Sequence, residues 1–377
     1  MPTQDVVIVG GGTIGLGVAW RAQQRGLRTT VLDAGEPGAW QVAAGMLAPV
    51  TEAGFGEADL VRLGLEGATR FGPFCAELIE VADRDPGLHR TGTLVVARDR
   101  DEADELDRLH ELQLSLGLAV ERLRPSQARR AEPALTPTVR LALDVPGDHS
   151  VEPRALAAAL AEALERAGGL IRARTRVQSM IVSGERVTGV RLAGGEVLAA
   201  GAVVVAAGAW SARLEGLPDA ARVPVRPVKG QILRLRDPQG PGLVTRTIRT
   251  PDAYLVPRPD GRYVLGASVE ERGWDSAPTA GGVFELVRDI SEVIPGVLEM
   301  EIGEIGVGLR PGSPDNLPSI GPGVLDGLHW ATGHYRNGIL LTPLTADLTA
   351  AALAGEPLPA WAAAVDPRRF ARLEAAR

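Results

Sequence analysis

Cysteine and lysine are nearly absent from this chain: its 377 residues include one of each, Cys75 and Lys229. A single cysteine excludes a disulfide within the chain and any cysteine-based metal site. Cys75 lies in the apolar stretch FGPFCAELIEV and reads as a buried small hydrophobe rather than a reactive thiol. The basic residues are almost all arginine, a bias that GC-rich coding produces without regard to function. No run of basic residues occurs and the net charge is -7, so nucleic acid is not an expected partner. No stretch approaches the ~20 apolar residues that span a bilayer, so no membrane is expected either. The opening MPTQDVVIVGGG lacks the positive start and long apolar run of a signal peptide, which gives the expectation of a cytoplasmic protein. The five histidines are scattered, with no pair at metal-ligand spacing, and no metal is expected.

What the chain does have is size and pattern. At 377 residues, 45% hydrophobic and 23% charged, it can bury a large core, and chains of this length usually split into domains of ~100–200 residues. Val6 to Val9 reads as a buried strand, Ile14 to Arg25 as a helix and Arg28 to Asp33 as a second buried strand, a βαβ unit. Helical periodicity marks Asp59 to Ala82, Asp101 to Leu116, Pro153 to Arg166, Gly282 to Ile294 and Gly338 to Leu353. The last of these places Gly338 at a helix start. Strands are expected at Thr91 to Ala97, Val139 to Val145, Leu170 to Arg174, Val187 to Leu192, Val203 to Ala207 and Leu328 to Thr332. A further group spans Gln231 to Arg236, Ala253 to Arg258 and Arg262 to Ala267, with Pro259-Asp260-Gly261 as a turn. The helix-like AWSARL follows Gly208, and the charged tail from Pro367 reads as a short surface helix.

Two kinds of region therefore interleave, and no internal repeat is found. Residues 1–85, 150–222 and 310–365 read as a Rossmann-like dinucleotide-binding domain. Residues 86–149 and 223–309 read as a second, mixed-sheet α+β domain. The expected class is α/β with this α+β substrate domain added.

Gly10, Gly12 and Gly15 form G-x-G-x-x-G at the strand-to-helix turn. The first glycine permits the turn, the second lets backbone approach a pyrophosphate, and the third lets helix and strand pack closely. The helix N-terminus then presents unpaired N–H groups to the anion. Asp33 ends the second strand, eighteen residues after Gly15, where a carboxylate can accept hydrogen bonds from ribose hydroxyls. Asp33 alone does not distinguish FAD from NAD.

Later segments do. VVIVGGGTIG, VAAGMLAP, VVVAAGAWS, PVKGQ, AYLVPRPDGRYVLGAS, GLRPGSPDNLPSIG and GHYRNGILLTP, spread from Val6 to Pro343, resemble the D-amino-acid oxidase family of FAD enzymes, and most closely its glycine oxidases of thiamine biosynthesis. The resemblance implies non-covalent FAD with its ring at the domain interface. It puts Thr13 and Ile14 on the pyrophosphate turn, and Asp33 and Ala34 at the adenosine ribose. It puts Ala44, Gly45 and Met46 beside the flavin ring, Val177 at the adenine, and Gly208 on the cofactor side. His334, Tyr335, Arg336, Asn337, Gly338, Ile339 and Leu340 would wrap the pyrimidine end. A helix opening at Gly338 would aim amides at the flavin N1–C2=O edge, where reduction places negative charge. His334 reads as a packing residue of that loop rather than a catalyst. One departure is that Ala39, Trp40, Gln41 and Val42 stand where similar enzymes carry serine or threonine, so backbone amides or Gln41 would have to replace those hydroxyls.

At the substrate end the resemblance implies a carboxylate held by Arg310 and Tyr254, with Arg336 as a second arginine facing the substrate. A planar guanidinium suits the first task because it pairs with carboxylate bidentately. Read from the residues alone, Arg310 could equally be an interdomain ion pair and Tyr254 core packing. No acid or base is implied, since the flavin takes the hydride and the protein orients the substrate. Expected products are an imine or glyoxylate, ammonia and, with molecular oxygen, hydrogen peroxide; the imine could instead feed thiazole synthesis. Lys229 is either a structural ion pair anchoring PVKGQ or a cation near the flavin that assists oxygen activation. Val269 and Trp274 are expected near the pocket. Similar glycine oxidases are often homotetramers. Rival expectations are a sarcosine, D-amino-acid or D-proline oxidase or dehydrogenase, a nicotinamide-linked dehydrogenase, and a binding protein that keeps the fold.

Overall fold

Two large sheets and a small three-stranded one organise residues 4–371, which the computed structural model describes. The first large sheet has a parallel centre. Leu170–Arg172, Thr29–Leu32, Gln4–Val9, Val197–Val205 and Leu328–Thr332 lie side by side in one direction. Helices cover both faces of this centre, so its strands are apolar throughout: Val6, Val7, Ile8 and Val9 are each at most 5% exposed. Val203 to Ala207, expected as a strand, is the end of the longer Val197–Val205. Its first half was hidden from a reading for continuous apolar runs because it pairs with Arg186–Leu192 and exposes one face. Val177–Ser183, which the apolar pattern did not reveal, completes that antiparallel edge.

Helix Thr13–Gln24 packs on helix Thr342–Leu353, with Gly17 meeting Thr342 and Ala346 closely. On its other side Trp20, fully buried, meets Phe74 of helix Ala58–Ala82 edge to face at 5.4 Å. Cys75 lies in the same core, 3% exposed, and burial pushes its thiol up to about 12, as befits an inert packing residue.

The second large sheet is mixed. Its order is Glu301–Gly312, Arg226–Arg236, Arg262–Gly266, Tyr254–Pro257, Thr247–Arg249, Thr93–Ala97, Leu141–Val145 and Glu121–Leu123. Only the Thr247–Arg249 and Thr93–Ala97 pair is parallel. Helix Ala280–Ser291 buries Leu286 and Ile290 against Leu233, Leu255 and Leu265 of this sheet. The ladder between Arg226–Arg236 and Glu301–Gly312 runs from Arg226 opposite Gly312 to Arg236 opposite Glu301. That length matters for the site, because it sets Arg310 opposite Val228 at one end.

Two expected helices differ. AWSARL belongs to a 3-10 helix, Gly208–Arg213. The helix expected from Gly338 begins at Thr342, with Pro343 in its first turn. Proline fits only there, because it brings no N–H and excludes an earlier partner, so Gly338 to Leu341 forms a turn ahead of the helix. The expected tail helix extends beyond Ala371, outside the described residues. Among the described residues no helix is long and apolar enough to cross a membrane.

Candidate active site

A cavity of about 800 Å³ runs from the dinucleotide turn to the edge of the second sheet. That is within the range of cofactor-sized pockets. At one end the strand Gln4–Val9 delivers Gly10, Gly12, Thr13 and Ile14 to its wall. Gly11, passed over in the sequence reading, is as constrained as its neighbours: its amide donates to Asp33 Oδ2 at 2.9 Å, and a Cβ there would collide with the carboxylate. Gly15 does not line the cavity; a Cβ on it would strike the carbonyl of Gly10, which makes it the helix–strand packing glycine. Asp33 and Ala34 line the wall, and Asp33 Oδ1 also accepts from the Gly35 amide at 2.6 Å. Each carboxylate oxygen thus keeps a second acceptor position.

The middle of the cavity is lined by Ala44, Gly45, Met46, Val177 and Gly208. Arg258 reaches this segment from the second sheet. Its side chain is 1% exposed, pairs with Glu152 at 3.0 Å and donates to the Ala44 carbonyl at 2.6 Å. Nothing in its spacing announces this, since the contact joins residues 214 positions apart. Trp40 and Val42 also line the wall, whereas Gln41 does not. The Gln41 carbonyl instead accepts from Arg154 and Arg234, each at 2.9 Å. The Trp40 indole edge lies over Gly12.

His334, Tyr335, Arg336, Gly338 and Ile339 line the far wall, while Asn337 and Leu340 turn away. Burial pushes the His334 imidazole down to about 3, so it is neutral, and its Nε2 pairs with Thr345 Oγ1 at 2.9 Å. No acceptor within the described residues takes the amides of Gly338, Ile339 or Leu340. Three consecutive amides left without a partner, two of them on buried residues, call for an external acceptor. The amides of Gly12 to Gly15 are likewise unpaired at the other end. The cavity therefore offers amide donors for a pyrophosphate at one end and for ring carbonyls at the other. The chain's donor set fits FAD. The sequence expectation of amides aimed by a helix opening at Gly338 is corrected in its means: a turn frees these amides, and the helix starts four residues later.

The substrate-side residues converge from separate strands. Among the described residues Arg310 forms no ion pair; its Nη1 donates to the Ser268 carbonyl at 3.0 Å and weakly to that of Lys229 at 3.4 Å. Its guanidinium lies flat across Gly230, where any Cβ would fall within 2.6 Å of Cζ. The glycine of PVKGQ is thus explained by the arginine it faces. Burial pushes the Tyr254 phenol up, against the pull of the neighbouring Arg310. Two residues not foreseen complete the group. Glu52 pairs with Arg249 and lies 3.7 Å from Arg336 Nη1. Burial pushes the Glu52 carboxyl up, but Arg249, Arg336 and Arg310 outweigh it and hold it below its ordinary value. The Thr51 and Val50 amides, which position Glu52, donate to buried Asp148 at 2.7 and 3.1 Å.

Lys229 points elsewhere. Fully buried, its Nζ pairs with Asp275 at 2.8 Å and the Ala277 carbonyl at 2.6 Å, and it is not on the cavity wall. The ion-pair reading accounts for it; the cation-near-flavin reading does not. It ties down the segment 268–279, in which Val269 lines the cavity. Trp274 of that segment does not line it but stacks on Trp210, which does, at 4.3 Å. Among the described residues no cluster of histidine, cysteine and carboxylate side chains could hold a metal ion.

Comparison with known proteins adds to this geometry. A family model described as FAD dependent oxidoreductase matches residues 5–352. The chain is 35% identical to a glycine oxidase of Geobacillus kaustophilus over 350 residues, 92% of each protein. It is 31% identical to the hydrogen cyanide synthase subunit HcnC of Pseudomonas aeruginosa over 393 residues, 95% of this chain and 94% of that one. The crystal structure of glycine oxidase from Geobacillus kaustophilus matches with a TM-score of 0.90 at 34% identity, covering 97% of this chain and 98% of that one.

Proposed function

This chain belongs to the family of FAD dependent oxidoreductases, and we propose that within it the protein is a glycine oxidase. The observation that carries the proposal is Arg310. Among the described residues its guanidinium donates to backbone carbonyls and forms no ion pair, and it lies beside the Tyr254 phenol on the wall of a cavity whose other end is a dinucleotide turn. A cation placed so, without an acid of its own, suits an incoming carboxylate. The relative and the solved structure named as glycine oxidases, each matched over more than nine-tenths of both chains, support glycine as the amino acid.

In this reading Gly12 to Ile14 hold the pyrophosphate, Asp33 the ribose, Ala44 to Met46 the ring, and Gly338 and Ile339 its pyrimidine edge. Bound FAD supplies the two-electron acceptor for the substrate's α C–H bond. Arg310 pairs with the carboxylate, Tyr254 donates to it, and together they fix the α carbon. His334 is neutral and committed to Thr345, so it takes no proton. The amine must enter uncharged, and no side chain is assigned as its base. With water and oxygen the balance is glycine to glyoxylate, ammonia and hydrogen peroxide. The imine formed first is also a reagent for building the thiazole of thiamine.

The similarity to a hydrogen cyanide synthase subunit makes the product a point to test. The experiment compares kcat/KM for glycine, sarcosine, D-alanine and D-proline and assays glyoxylate, peroxide and cyanide. The expected result is turnover of glycine with one glyoxylate per glycine consumed. Cyanide in place of glyoxylate, or turnover confined to D-proline, would move the substrate or product while leaving the FAD chemistry.

A further inference from the structure

The motif PVKGQ presents different chemistry on the two faces of the strand Arg226–Arg236, because successive side chains of a strand point to opposite faces. Gly230 meets the flat of the Arg310 guanidinium, whereas the Lys229 and Gln231 side chains reach residues 268–279. Among the described residues Arg310 forms no ion pair, so its direction is set by the two carbonyls it donates to, those of Ser268 and Lys229. One small network fixes both. The Ser268 hydroxyl donates to Glu270 Oε1 at 2.6 Å and accepts from the Gln231 backbone amide at 2.9 Å. The same Glu270 oxygen accepts from Gln231 Nε2 at 2.7 Å. The Glu270 amide donates to the Lys229 carbonyl at 3.0 Å. Gln231 is buried, and its Oε1 accepts from the Thr279 amide at 2.8 Å, so both ends of its side chain are committed. Burial pushes the Glu270 carboxyl up, but the Gln231 and Ser268 hydrogen bonds, with Lys229 and Arg272 nearby, outweigh it and hold it below its ordinary value. By charge alone, an anion is ill placed on the wall of a cavity that takes a carboxylate. Its place is explained by what it holds.

We infer that Glu270 and Ser268 are positioning residues for Arg310: Glu270 holds the Ser268 hydroxyl, and the Ser268 carbonyl aims the guanidinium at the substrate carboxylate. This rests on the reading of Arg310 as the carboxylate site and deepens it by naming what orients it. Neither residue pairs with the carboxylate in this account; both act through Arg310. Without the tether the Ser268 carbonyl is free to shift, and the guanidinium loses the fixed plane that two-point pairing with a carboxylate needs.

The test uses the FAD-loaded protein and two ligands of similar size that differ in charge, acetate and acetamide. Binding is read by calorimetry and by perturbation of the flavin absorbance. Acetate is expected to bind ~10–100-fold more tightly, the effect of a charge-assisted pair with Arg310. Ser268→Ala and Glu270→Ala should each lower that ratio about fivefold or more. Ser268→Thr keeps the hydroxyl and Glu270→Gln keeps the acceptor, so both should retain most of it. Charge alone gives the reverse for Glu270→Ala, since deleting an anion from the wall favours acetate. A merely structural role would lower stability or FAD content without moving the ratio. With Arg310→Met already in place, Ser268→Ala should change the ratio no further. A ratio that stays high in both alanine variants overturns the inference and leaves Arg310 as the carboxylate site. A fall that persists in the Arg310→Met background overturns it as well. A ratio near one in the wild type sinks the Arg310 reading, and the inference with it. If Ser268→Ala fails to hold FAD, the contrast between Glu270→Ala and Glu270→Gln decides alone.

Discussion

At the dinucleotide end of the cavity the chain offers backbone, and at the far end it offers side chains. The turn from Gly10 to Gly15 presents amides of consecutive residues, held by one strand, one helix and one carboxylate. The substrate end gathers Glu52, Arg249, Tyr254, Arg310 and Arg336 from five separate segments. The first arrangement is local and tolerates no added atoms. The second is assembled by the register of long strands and is tuned by charge. Damage to the first should therefore remove the cofactor, whereas damage to the second should leave the cofactor and change what is bound beside it.

The largest effect is expected from Gly15→Ala. The new Cβ strikes the Gly10 carbonyl oxygen and lies 3.1 Å from its carbon, and backbone on both sides cannot give way. The purified protein should be colourless, as measured by the ratio of flavin to protein absorbance. A yellow protein with normal FAD content would show that the turn is not the closed packing described.

Arg310→Ala is next. It should raise the substrate KM sharply, losing ~3–5 kcal/mol of carboxylate binding, because the carboxylate is left desolvated and unpaired. FAD content should stay near normal, which separates the two ends. Unchanged affinity for glycine would contradict the assignment.

Asp148 sits behind the Glu52 segment, and burial pushes its carboxyl up to about 6 despite the Thr51 and Val50 amides. Its folded value lies above its ordinary one of 3.8. Its contribution to stability is therefore fully present below about pH 4 and is lost as pH rises through about 6. The size is about 2–3 kcal/mol. Urea unfolding at pH 4.5 and pH 7 should show that Asp148→Asn removes this part of the difference. An identical pH dependence in both proteins would mean that Asp148 titrates normally.

Lys229→Met should have the smallest effect. The fold should survive at a cost of about 1–3 kcal/mol, because Asp275 is 39% exposed and water can replace its partner. Flavin reoxidation by oxygen should be unchanged, since the Lys229 ammonium is off the cavity wall. A slower reoxidation in folded, FAD-loaded protein would revive the oxygen-activating role.

The same contrast explains what the amino-acid sequence revealed. The dinucleotide end is legible because its chemistry needs glycines at fixed spacing after a buried strand, and Asp33 at the end of the next. Gly11 escaped notice because its constraint comes from Asp33 folding back on it, across 22 residues. At the substrate end, Arg310, Tyr254 and Arg336 were reached through resemblance. Their neighbours Glu52 and Arg249 were not reached at all, nor was Arg258 behind Ala44. No spacing connects Glu52 to Arg249, and only the pairing of Thr247–Arg249 with strands on both sides brings them together. The helix start at Thr342 was misplaced because Gly338 to Leu341 is apolar enough to pass as helix. The amides it leaves free are visible only once the turn is seen.

The most direct test of the account is the flavin spectrum of the purified protein, recorded before and after anaerobic addition of glycine. The account predicts a flavin spectrum that bleaches with glycine and returns with air as hydrogen peroxide appears. A folded, FAD-loaded protein whose spectrum no small amine or amino acid can bleach would contradict it.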